Sequence, residues 1–227
     1  MKLKLFLIPL ALLAFGGIII ARSASAQGPG PSAGTVLVSG LLQPRGIVFG
    51  SDGMIYVAEA GTGGDTDFEV APGVIVKNGF TGRISKVDPD TGTRTTVADG
   101  LPSQASPELG EAVGPADVAF IGSTLYYLQT HGGAGYGFPG TPTGIYRIDS
   151  SGNAHLVADI GAFNIANPTE AISDGSQADI EVGGNPYAMD VQAGSFYVTD
   201  GNHNRLLKVT TGGAVTKIAE FPDHPVS

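Results

Sequence analysis

Asn185-Pro-Tyr-Ala-Met-Asp-Val-Gln-Ala-Gly-Ser-Phe-Tyr-Val-Thr-Asp200 decides the fold, because the chain carries this stretch in three versions. The first reads Gln43-Pro-Arg-Gly-Ile-Val-Phe-Gly-Ser-Asp-Gly-Met-Ile-Tyr-Val-Ala-Glu59. The second reads Gly114-Pro-Ala-Asp-Val-Ala-Phe-Ile-Gly-Ser-Thr-Leu-Tyr-Tyr-Leu-Gln129. Their prolines, Pro44, Pro115 and Pro186, follow one another at intervals of 71 residues. Tyr56, Tyr126 and Tyr197 align within them. A fixed period of this kind marks a repeat architecture.

Downstream, each copy continues into a second pair of apolar runs. Arg83-Ile-Ser-Lys-Val-Asp88 matches Gly144-Ile-Tyr-Arg-Ile-Asp149 and Arg205-Leu-Leu-Lys-Val-Thr210. Thr95-Thr-Val-Ala-Asp99 matches His155-Leu-Val-Ala-Asp159 and Thr216-Lys-Ile-Ala-Glu220. Each copy therefore reads as four short strands. Glycine-bearing turns join strands one to two and three to four, where tight hairpins need positive φ. One meander buries its faces poorly; copies packed face to face around an axis bury them well. The expectation is an all-β fold, a β-propeller of four-stranded blades.

Tyr197-Val-Thr-Asp-Gly-Asn-His-Asn-Arg-Leu-Leu-Lys-Val209 resembles the NHL repeat, and Pro44 to Gly61 resembles the blade opening of the same superfamily. The order of features resembles the ScyD/ScyE family of exported bacterial proteins. Those features are an apolar leader, the Pro-Arg-Gly blade, Val113-Gly-Pro-Ala-Asp-Val-Ala-Phe120, and Asn185-Pro-Tyr187 before an NHL-like blade. The resemblance covers about residues 35 to 221. It implies NHL-type blades and an extracytoplasmic location, with no assigned chemistry. No tryptophan is present, which disfavours a WD40 array.

The blades fall at about 35–101, 102–163 and 182–221, within a propeller region of 35–227. Closed propellers hold ~4 to 8 blades. Three predict a partial, truncated propeller; a homodimer that closes one ring is the alternative if the chain is complete.

The first 26 residues read as an export signal. Lys2 and Lys4 precede an apolar run, Leu5 to Ile20, and Ala24-Ser-Ala26 supplies a small-residue cleavage site. The run is short for a membrane anchor, which needs ~20 apolar residues. Residues 27–34 read as a flexible segment. Removing Lys2, Lys4 and Arg22 leaves 9 basic against 21 acidic residues, a net charge of −12. That surface repels nucleic acid and disfavours anionic membranes beyond the export step. With no cysteine, thiol catalysis, thiolate metal sites and a lipoprotein anchor are all excluded.

A 71-residue period exceeds the ~40 to 50 residues of common blades. The excess lies in Ala60–Thr81, Thr130–Thr143, Gly100–Val113 and Ile160–Gly184, all on one face of the ring. Insertions confined to one face mark a binding face, for a small molecule or a protein. On it fall Glu59, Gln129 and Asp200, which end strand two, and Arg45, Asp117, Asn185 and Tyr187, which open strand one. His131, Tyr136 and His203 share that face.

Each of these has two readings. Glu59, Asp117, Asn185 and Asp200 offer oxygen donors suited to Ca²⁺ or another divalent cation, which activates water or polarises a carbonyl. The plainer reading is that they hydrogen-bond loop backbone. Asp65-Thr-Asp-Phe-Glu69 lacks EF-hand spacing and reads as a solvated acidic loop. His131 and His203 suit a general base or a ligand, though His203 sits where the NHL turn wants Asn. His155 falls on strand four, and His224 near the end. Gly132-Gly-Ala-Gly-Tyr-Gly137 lacks the Lys-Ser/Thr and helix of a phosphate cradle. It reads as a mobile loop presenting Tyr136 and Phe138 for stacking. The functional expectation is a binding or scaffold propeller; the alternative is a metal-assisted hydrolase or lyase of the lactonase-like group.

Mass spectrometry of the exported protein is expected to find Gln27 at its N-terminus, and Ala26→Phe is expected to leave the leader attached.

Overall fold

The computed structural model describes residues 34–169, 181 and 183–221. Residues 1–26, which read as an export signal, segment 27–33 and His224 lie outside the described residues. The chain divides into a unit ending at Thr35 and a larger one beginning at Val36, and every strand and helix among the described residues belongs to the larger unit.

Blade 1 comprises β1 (Pro44–Phe49), β2 (Ile55–Glu59), β4 (Val74–Val87) and β5 (Arg94–Ser106), with β3 (Thr66–Ala71) and β6 (Glu111–Val113) added to it. Blade 2 comprises β7 (Pro115–Ile121), β8 (Thr124–Gln129), β9 (Gly144–Ile148) and β10 (Ala154–Asp159). Blade 3 comprises β11 (Pro186–Gln192), β12 (Ser195–Asp200), β13 (Arg205–Thr210) and β14 (Val215–Glu220). Each is an antiparallel meander, and three such blades establish the propeller fold. In the strand three-to-four turns, Gly92, Gly152 and Gly213 all take positive φ, as the hairpins require.

What holds the blades together is visible in β8, Thr-Leu-Tyr-Tyr-Leu-Gln. Leu125 and Tyr127 point to one side, Tyr126 and Leu128 to the other. The first pair joins Val118, Tyr146 and Ile148 against Ala58, Ile84, Ala98 and Leu101 of blade 1. The second joins Ala119, Ile145 and Ala158 against Met189, Phe196, Val198, Leu207 and Val209 of blade 3. The repeated tyrosine column works at both seams. Tyr56 meets Phe120 edge-on at 5.0 Å, and Tyr126 meets Phe196 at 4.9 Å. In blade 3, Tyr197 instead has Lys208 Nζ 6.0 Å from its ring centre.

The inner strands are pinned by Asp117 on β7. Its Oδ2 accepts from Met189 N–H at 2.8 Å on β11, and its Oδ1 from Val118 N–H at 2.8 Å. On the β1 side the approach is close enough to demand glycine. A Cβ at Gly46 would lie 2.6 Å from the Cα of Asp117.

Two expectations about loops are corrected. Ala60–Thr81 is largely a β-hairpin, β3 and the first half of β4, turning at Pro72-Gly73. The Gly100–Val113 connection is the end of β5 and β6. Together they form an accessory layer in the order β3-β4-β5-β6 on the long-loop face. The β-branched run Val74-Ile-Val76 has the strand pattern, and pairing with β3 realises it. Asp65-Thr-Asp-Phe-Glu69 is therefore mostly edge strand, with Asp67 ion-paired to Lys77 and Glu69 accepting from Gly73 N–H at 2.8 Å. The third long connection includes α1 (Ile160–Ala166), capped by Asp159 Oδ1 on Ala162 N–H at 2.7 Å.

Leu128 is fully buried at the second seam, whereas Ile47 on β1 is 61% exposed. Leu128→Ala is expected to lower unfolding free energy by ~2–5 kcal/mol. Ile47→Ala is expected to change it by under ~0.5 kcal/mol. Urea denaturation measures both.

Candidate functional site

The column that ends strand two is buried, and each of its side chains hydrogen-bonds into the fold. Glu59 accepts from Leu42 N–H at 2.5 Å, from Arg83 Nη2 at 2.7 Å and from the Ser85 hydroxyl. Gln129 donates through Nε2 to the carbonyls of Pro102 at 3.2 Å and Thr130 at 2.8 Å. Asp200 Oδ1 accepts from the N–H groups of Asn185 (3.0 Å), Asn202 (3.2 Å) and His203 (3.2 Å). Its Oδ2 accepts from Asn164 Nδ2 at 2.6 Å. In all three blades this position ties strand two to the chain that enters or leaves it. Period-2 strands place one polar side chain at the sheet's end, where backbone leaves the ladder and needs partners.

The strand-one openings differ from one another. Arg45 is exposed, and its Nη2 donates to Ala112 O at 2.7 Å, fastening β6 to blade 1. Tyr187 is 58% exposed beside Gly201, where a Cβ would meet its ring. Asn185 Oδ1 accepts from Thr130 Oγ1 at 2.8 Å. Asn185 and Asp200 are thus brought together, while Glu59 is held by Arg83 in blade 1 and Asp117 by the inner strands. No three acids or histidines among the described residues gather into a metal-ligating group.

The densest polar assembly lies where all three blades' long connections meet. His131 stacks on Tyr136 at 4.5 Å, 16° from parallel. Tyr136 and Phe138 are buried, so the Gly132–Gly137 loop does not present them outward for stacking. It folds instead into a 3-10 turn at Ala134–Tyr136. Gln104 Nε2 donates to Asn78 Oδ1 (2.9 Å) and to the Tyr136 carbonyl (3.2 Å). Asn78 Nδ2 donates to the same carbonyl at 2.7 Å. The Gln104 amide nitrogen is thereby committed, so its Oε1, 3.0 Å from His131 Nδ1, accepts a proton held on Nδ1. His131 Nε2 lies 3.1 Å from Glu181 Oε2, at ion-pair distance though off the line of a straight hydrogen bond. Tyr136 Oη donates to that oxygen at 2.9 Å. Glu181 O is 2.9 Å from His203 Nε2.

Charge follows environment. Burial pushes the Glu59 carboxyl up, but Arg83, Leu42 N–H and Ser85 outweigh it and hold it below the usual range. Burial likewise raises Glu181, and His131, Tyr136 and His203 bring it below. For Asp117 burial prevails over two backbone N–H bonds, helped by Asp190, and its carboxyl sits above the ordinary range.

Sequence reasoning named His131, Tyr136, Asn185, Asp200 and His203. It passed over Asn78, Gln104, Asn164 and Glu181. All four lie in insertions without counterparts in the other blades, so the repeat gave no column to read.

No family model matches the chain, and no curated protein does. Solved structures do. A chain of a nidogen/laminin complex aligns at 16% identity and TM-score 0.44, over 84% of this chain and 51% of its own. A Bacteroides uniformis protein described as a 6-phosphogluconolactonase aligns at 13% and 0.39, over 76% and 40%. Virginiamycin B lyase from Staphylococcus aureus aligns at 10% and 0.31, over 80% and 71%. The chain thus spans about half or less of the first two. At such scores the blades' own topology carries the fold.

Glu59's depressed pKa gives stability that is present above its ordinary 4.5 and lost as pH falls through the folded value. Glu59→Gln is expected to cost about 1–3 kcal/mol at pH 7. Its stability should fall less than the wild type's as pH drops below 4.5, read from urea midpoints.

Proposed function

We propose that the protein is an exported NHL-like propeller, of ScyD/ScyE type, that binds a protein or ligand through its long-loop face. The observation that carries this is the one-sided elaboration. Every turn on one face is a tight hairpin, while the other carries the accessory layer, the 3-10 turn and α1. Rigid elements on one face are what a binding surface requires. Val70, Val74 and Ile75 stand exposed at the hairpin tip of that layer. Among the described residues, no helix is long and apolar enough to cross a membrane.

The metal-assisted hydrolase or lyase reading draws on Glu59, Asp117, Asn185 and Asp200. The oxygens of all four already accept protein hydrogen bonds that hold strands and loops. Their arrangement favours a scaffold.

In-cell photo-crosslinking from the long-loop face tests the reading. The triple variant Val70→Ser, Val74→Ser, Ile75→Ser is expected to lose most of the crosslinked partner. Asp90→Lys, on the short-turn face, is expected to keep it. The reverse pattern rules out the long-loop face.

A further inference from the structure

The seam between blades 1 and 2 opens outward into a groove of about 680 Å³, lined by neither His131 nor Glu181. One wall is β5 from Thr96 to Pro102; the other is β9 and β10 with their turn. Its volume lies within the ~300–1,000 Å³ of small-molecule clefts.

Tyr127 lines this groove. Its side chain is fully buried, and its hydroxyl has no hydrogen-bond partner among the described residues. The tyrosine stacked on it at 5.1 Å, Tyr146, is satisfied by the fold, donating to Pro142 O at 2.7 Å. The repeat itself does not call for the Tyr127 hydroxyl. Val57 and Val198 occupy the same column, and both are buried. A buried, unpaired hydroxyl is costly, so native interiors rarely keep one without a use.

The lining restricts the ligand. It has no Lys or Arg, so a phosphate or carboxylate would find no cation. Asp99 is its one charged residue, too few for a multivalent cation. What remains is hydroxyl and amide chemistry, from Thr96, Thr141, Ser151 and Asn153 beside Tyr127. Burial pushes the Tyr127 phenol well up, keeping it a donor.

We propose that this groove binds a neutral polyhydroxylated molecule of mono- to disaccharide size, which accepts a hydrogen bond from the Tyr127 hydroxyl. One end of the groove reaches Gly100–Pro102, Gly140 and Thr141 of the long-loop face, but the sugar site does not depend on a partner bound there.

Calorimetric titration of the full chain with trehalose and maltose tests it, with glucose 6-phosphate and glucosamine as charged controls. At least one neutral sugar is expected to bind saturably, and the charged controls more weakly. Tyr127→Phe is expected to weaken binding about tenfold. Its ligand-free melting temperature should stay unchanged or rise, because no protein partner is lost. Thr96→Trp, which fills the groove from an exposed strand position, is expected to abolish binding. The proposal is overturned by absent binding of both neutral sugars, by equal affinity in Tyr127→Phe, or by tighter binding of a charged control. A clear fall in the ligand-free melting temperature of Tyr127→Phe also overturns it, since the hydroxyl would then be held within the fold.

Discussion

A four-stranded sheet with apolar side chains on both faces cannot stand in water by itself. Blade 2 is such a sheet. Leu125 and Tyr127 need blade 1, while Tyr126 and Leu128 need blade 3. Each buried side chain of this size contributes about 1.5–3 kcal/mol, and only face-to-face stacking supplies that burial twice over. The inner strands must then approach closely. That is why Gly46 faces Asp117, and why Asp117 gives one oxygen to its own strand and one to Met189 of the next.

Stacking by apolar faces leaves the strand ends to polar groups. Glu59, Gln129 and Asp200 occupy one column, yet their chemistry differs with their partners. Glu59 is a carboxylate neutralised by Arg83. Gln129 bridges two carbonyls as a neutral donor. Asp200 collects three backbone N–H groups and an amide, and so shapes the turn from Gly201 to Asn204. All three secure the chain where it crosses the long-loop face. The shared column therefore reflects a shared structural need, met by whichever polar group suits the local charge.

That face is where the molecule departs from its own repeat. β4 and β5 run past the blade and gain β3 and β6. From this layer Asn78 and Gln104 reach the Tyr136 carbonyl of blade 2; the Tyr136 hydroxyl donates to Glu181 on the connection into blade 3, and the Glu181 carbonyl meets His203 of blade 3. Insertions from three blades thus interlock through hydrogen bonds, as the blades themselves interlock through apolar contacts. Such a cluster gives the face a defined shape, the precondition for selective binding.

The blades, their tyrosine column and the polarity of their loops were all legible in the chain, because a repeated environment imposes repeated residues. Pro44, Pro115 and Pro186 mark that register, and the alternation in β8 already implies two neighbours. Sequence put Asp200 and Asn185 on one face with Glu59 and Asp117; the structure joins the first two through the Asn185 N–H and leaves the others apart. It did not show that Ala60–Thr81 is strand, since a hairpin beyond the blade is stabilised by β5, a partner distant in sequence. Nor did it show that Tyr136 is buried, that Glu181 pairs with His131, or that the Tyr127 hydroxyl lacks a partner. Those depend on which non-repeated segments meet, and periodicity carries no information about segments that occur once.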